Sequence, residues 1–72
     1  MTDQEKLDLL EEIMDTEEAL TMEGVLEEIE EWDSLSMLAL AAKVKELYNR
    51  NLTAQEIVKF KTVKDICDYL ND

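Results

Sequence analysis

Apolar residues in this chain return at three- and four-residue spacing between polar stretches, a pattern that predicts helices. Leu7, Leu10 and Met14, with Ile13 beside them, mark a first helix over residues 2–15. Thr2 and Glu5 have capping-box spacing, in which each side chain satisfies a free amide at the helix start. Asp3, Glu5 and Asp8 favour the positive end of the helix dipole, while Glu11, Glu12 and Asp15 oppose the other end. Thr16, Thr21 and Gly24 then break the period, leaving residues 16–33 as a long connection. Structureless connections beyond roughly 12–15 residues are uncommon in compact domains. Leu20, Val25, Leu26 and Ile29 are therefore expected to pin it to the core, with a short helical turn near residues 25–28.

The pattern resumes at Asp33, an N-cap residue type, so a second helix is expected over residues 34–50 with Ser34 at its first position. Trp32 and Met37 fall at hydrophobic-staple positions. Leu35, Leu38, Ala41 or Ala42, and Val44 or Leu47 are read as the inward stripe, with Tyr48 anchoring the helix end. Thr53 to Glu56 is another capping box, opening a short helix to about Phe60 with Ile57, Val58 and Phe60 as apolar contacts. Thr62, with Asp65 three residues on, starts a last helix to about Leu70 whose buried face is Val63, Ile66 and Leu70. The expected architecture is all-α: a small four-helix bundle, three longer helices plus a short third one, with a long loop between helices 1 and 2.

The 72 residues amount to one small domain, 1–72. Such a chain buries about 60% of its unfolded surface, and a core of this size supplies ~3–5 kcal/mol without a staple. The absence of proline and the single glycine agree with helix throughout. Cys67 is the only cysteine, so no intramolecular disulfide forms, and with no histidine a zinc site built from those ligands is excluded. Cys67 lies next to the apolar face of the last helix and is expected to be packed rather than reactive. No apolar run is long enough to span a membrane and the start is not basic-then-apolar, so a cytoplasmic, monomeric domain is expected.

Charge changes the picture. The net charge of −12 argues against nucleic acid, whose phosphates would be repelled. Residues 1–33 hold fourteen carboxylates against one lysine, Lys6, whereas residues 34–72 hold five carboxylates against six bases. Acid is thus concentrated before Ser34.

The catalytic options are few. Without histidine a Ser-His-Asp arrangement is impossible, and an N-cap carboxylate such as Asp33 is a poor base. The carboxylates have the spacing of solvated faces, so no autonomous enzyme is expected. The run Glu27, Glu28, Glu30, Glu31, Asp33 could attract divalent cations, but it lacks the order of an EF-hand loop, and no metal site is expected.

Asp33-Ser34-Leu35, D-S-L, resembles the phosphopantetheine attachment motif of acyl carrier proteins. L-E-E-I at Leu26–Ile29, the preceding long loop, the acidity, the length and the helix order extend the resemblance over essentially the whole chain. It implies a four-helix bundle with a short third helix that carries 4'-phosphopantetheine on Ser34, placed there from coenzyme A by a phosphopantetheinyl transferase. The arm's thiol would hold an acyl group as a thioester for an acyl-loading enzyme and a downstream acyltransferase or synthase. Ser36, the only other serine, does not match the motif position.

Glu30-Glu31-Trp32 stands where fatty-acid carriers usually have a glycine-containing link, and the second helix carries Lys43, Lys45 and Arg50, a trend that Lys59, Lys61 and Lys64 continue. W-D-S-L resembles stand-alone carriers of specialised pathways more closely. Partners are expected to dock through apolar contacts such as Met37 and Ala41, with little help from charge. An aminoacyl or peptidyl carrier, with an aminoacyl-loading enzyme, stays open as an alternative cargo class. A non-modified acidic interaction or ion-binding bundle is the alternative from another class.

Overall fold

A computed structural model describes residues 1–70. In them α1 spans Asp3–Met14, α2 Ser34–Tyr48, α3 Ala54–Ile57 and α4 Val63–Tyr69, with a 3-10 turn at Leu26–Glu28. This is the expected small helical bundle with a short third helix. The starts form where side chains can take up orphan amides. Thr2 with Glu5, Thr53 with Glu56 and Thr62 with Asp65 each make a reciprocal capping box. Asp33 caps α2, its Oδ1 accepting the Ser36 N–H at 3.0 Å. Asp15 and Asn49 close α1 and α2 in the left-handed conformation.

The core joins Leu10 and Met14 of α1, Leu40 and Val44 of α2, and Val63, Ile66 and Leu70 from the α4 region. α1 packs on both α2 and α4. Cys67 is buried among them, and that burial pushes its thiol pKa up, so it stays protonated. At the far end the Tyr48 hydroxyl donates to the Leu70 carbonyl at 3.1 Å. The Arg50 guanidinium lies over the rings of Tyr48 and Tyr69. Among the described residues no helix is long and apolar enough to cross a membrane.

The long connection is pinned, partly as expected. Leu26 is buried and Leu20 and Ile29 are half-buried against the core. Val25 differs: its side chain is exposed, and it contributes through backbone pairing with Thr62. Around that bridge the Leu26 N–H donates to the Lys61 carbonyl and the Val63 N–H to the Gly24 carbonyl, both at 2.9 Å. A Cβ on Gly24 would lie 3.1 Å from Val63 Cγ2 and 3.2 Å from the Thr21 carbonyl oxygen, so any larger residue here would have to push its neighbours back by a few tenths of an ångström. Glu11, unfavourable for the dipole, has a separate use: its carboxylate accepts the Leu20 N–H at 3.0 Å.

The α2 stripe is rotated from the expected one. Ser36, Leu40 and Val44 face inward, while Leu35 and Leu38 are 75% and 68% exposed. Leu47 is also exposed, Ala41 half-buried and Ala42 exposed. The reason is that Ser36, a polar residue at a core position, finds an internal partner and can be buried without penalty. Helix α3 ends earlier than expected, at Ile57, and leaves Val58 65% exposed.

Candidate functional site

Ser34 is the first residue of α2, and the expected cap is in place beside it. The Asp33 carboxylate takes the Ser36 amide, and the Asp33 carbonyl takes the Met37 amide at 3.0 Å. The amides of Ser34 and Leu35 make no hydrogen bond with the described residues, so the positive end of the helix dipole is open at this point. The Ser34 side chain is exposed, and its hydroxyl likewise has no partner among the described residues.

Ser36 is the opposite case. It is 5% exposed, and its Oγ donates to the Glu31 carbonyl at 2.6 Å. The same carbonyl accepts the Asp33 N–H at 3.1 Å, and the Glu31 carboxylate accepts from the Thr16 hydroxyl at 3.4 Å. The turn before α2 is therefore fastened to the helix on one side and to the end of α1 on the other. The sequence reading set Ser36 aside by motif position and missed this role. Its recurrence with Leu40 and Val44 at four-residue spacing was the available signal.

A groove of about 350 Å³ lies between α2 and α3, walled by Met37, Leu38, Ala41, Leu52, Ile57 and Val58, with Ser34 also lining it. Its walls carry no charged side chain. Across Met37 and Val58 a second hollow holds Trp32 and Phe60, with Glu27 and Lys61 also lining it. Trp32 and Met37 are each half-buried against the core, as their staple positions lead one to expect. The carboxylates Glu27, Glu28, Glu30, Glu31 and Asp33 are all exposed. Among the described residues no three acidic or cysteine side chains gather as a metal site.

Residues 7–70 match the family model described as a phosphopantetheine attachment site. The chain belongs to that family. Comparison with curated proteins and with solved structures returned no match. Members of the family carry 4'-phosphopantetheine bound covalently to a serine. The carrier's two serines, Ser34 and Ser36, both lie at the start of α2. An exposed hydroxyl beside open helix amides fits such a group, because an attached phosphodiester would place its negative charge at the helix N-terminus. That contribution is ~0.3–1 kcal/mol at an exposed site. It favours the product slightly and leaves selectivity to the modifying enzyme.

Proposed function

We propose that residues 1–72 form one acyl carrier domain, loaded at Ser34 and without catalysis of its own. The contrast between its two serines carries this reading. Ser34 is exposed and unbonded, whereas Ser36 is buried with its hydroxyl engaged at 2.6 Å. Only Ser34 can reach a second protein's active site without the helix start coming apart.

In loading, the Ser34 Oγ bonds to the β-phosphorus of coenzyme A and the pyrophosphate bond breaks. Adenosine 3',5'-bisphosphate departs, and the serine proton passes to a base on the transferase. The attached arm supplies a terminal thiol on which cargo is held as a thioester. The scaffold presents the attachment oxygen, holds the α2 start rigid, and offers the groove beside it. Because that groove is walled by apolar side chains, it supports acyl cargo over aminoacyl cargo, whose ammonium would lose its water there without a charged partner.

Partners that must reach Ser34 meet Leu35, Leu38 and Val58, the large exposed apolar side chains around it. Helix α2 carries no carboxylate before Glu46. This supports apolar docking of the transferase and of acyl-transferring enzymes, with the contact residues shifted outward from Met37 and Ala41. It also supports a specialised pathway over one served by an acidic docking helix.

Intact-mass analysis after incubation with coenzyme A and a broad-specificity phosphopantetheinyl transferase tests the proposal. The wild-type chain should gain one phosphopantetheine and Ser34→Ala none. An unmodified wild type, or a modified Ser34→Ala, refutes it.

A further inference from the structure

We infer that Ser36 is a positioning residue for the loading reaction, setting where the Ser34 hydroxyl stands; this rests on Ser34 being the loaded residue. Ser36 occupies a place in the buried stripe of α2 where an apolar side chain would be the ordinary choice. A buried hydroxyl is costly unless bonded, and this one is bonded at 2.6 Å to the carbonyl of Glu31, outside its own helix. Its backbone amide is held by the Asp33 carboxylate at 3.0 Å. One residue therefore grips the chain at Glu31 and at Asp33, on the N-terminal approach to Ser34, while itself sitting two positions beyond Ser34.

Asp33 is already tied to α2 through the Met37 amide, and the Ser36 hydroxyl extends that hold two residues further back, to Glu31. Without it, Glu31 keeps only the local bond from the Asp33 amide, which lies within the same turn and moves with it. The Thr16 contact holds the Glu31 side chain to the end of α1, but at 3.4 Å and at the surface. The Ser36 hydroxyl is the buried link between the preceding turn and α2. Attack on phosphorus demands a defined approach line, and small misplacement of a reacting atom is expensive in rate. A fixed approach to Ser34 means the transferase does not have to order this turn in each encounter. The exposed docking side chains Leu35, Leu38 and Val58 are untouched by a change at Ser36.

The test measures loading of Ser36→Ala and of Ser36→Cys, whose slightly larger thiol fills the site but is a weak donor, against wild type. It uses a broad-specificity phosphopantetheinyl transferase at saturating coenzyme A, well below each melting midpoint, with product followed by intact mass. Both variants should lose about tenfold in kcat while KM for the carrier changes less than about twofold. Amide hydrogen exchange at Asp33, read on the unloaded chains, should quicken in both. Unchanged kcat in either folded variant, or a loss confined to KM, overturns the proposal and leaves Ser36 a packing residue. A wild-type chain that is not loaded, or is loaded away from Ser34, instead removes the Ser34 reading on which it stands.

Discussion

Exchanging Leu40 for alanine tests the register of α2 directly. Leu40 has no exposed surface and sits in the cluster that joins α1, α2 and α4. Truncating a buried leucine costs about 2–5 kcal/mol, the upper part of that range applying where surroundings cannot collapse into the cavity. A leucine with no exposed surface inside that cluster leaves little room to collapse, so a loss of about 3 kcal/mol or more is expected. That is comparable with the ~3–5 kcal/mol available to a core of this size. For a domain of this length each kcal/mol moves the melting midpoint by ~4–8 °C, so Leu40→Ala should melt at least about 10 °C lower or be largely unfolded. Leu38→Ala, two residues away at a site 68% exposed, should stay within about 0.5 kcal/mol of wild type. Thermal and urea unfolding by far-ultraviolet circular dichroism on all three chains decides the matter. If Leu38→Ala is destabilised as much as Leu40→Ala, the assigned inward face is wrong, and with it the apolar docking surface around Ser34.

Three further outcomes are expected. Gly24→Ala should lower stability by ~1–3 kcal/mol, because the new Cβ meets Val63 and the Thr21 carbonyl too closely; urea midpoints measure it, and a neutral result would mean the loop shifts freely. The Asp65 carboxyl is held below its usual value of 3.8 chiefly by the Lys61 and Thr62 amides that donate to it. Its contribution is complete above pH 3.8 and lost as pH falls through its folded pKa. Asp65→Asn should therefore be less stable than wild type at neutral pH, with the gap closing well below pH 3.8 in paired urea titrations. Raising sodium chloride from low to moderate concentration should change the transferase's KM for the carrier by less than about twofold. A steep rise would instead assign docking to the carboxylates of residues 27–33.

Where information was local, the sequence was sufficient. A capping box spans four residues and needs no tertiary knowledge, so the starts of α1, α3 and α4 could be read from Thr2, Thr53 and Thr62. Asp33 likewise marked the start of α2 and the position of Ser34. The inward face of α2 was not legible, because burial of Ser36 depends on a carbonyl supplied by Glu31 once the connection has folded back. With that serine counted as polar surface, Leu35 and Leu38 looked like the better core residues. Val58 misled for the same reason: apolar residues turned toward solvent near Ser34 cannot be told by composition from those turned toward the core. Glu11 was opaque in a different way, its partner being an amide nine residues further on.

Trp32 is the chain's single tryptophan, two residues before Ser34 and half-buried beside Met37 and Phe60. Tyr48 and Tyr69 both lie next to Arg50, and Tyr69 meets Phe60 edge-on with ring centroids 5.7 Å apart, but the chain has no second indole. Indole emission excited selectively at the red edge thus originates from one corner of the molecule only. The protein comes with a built-in fluorophore at the spot where a prosthetic arm or an incoming enzyme would change the local polarity, and no dye need be attached to watch either event in real time.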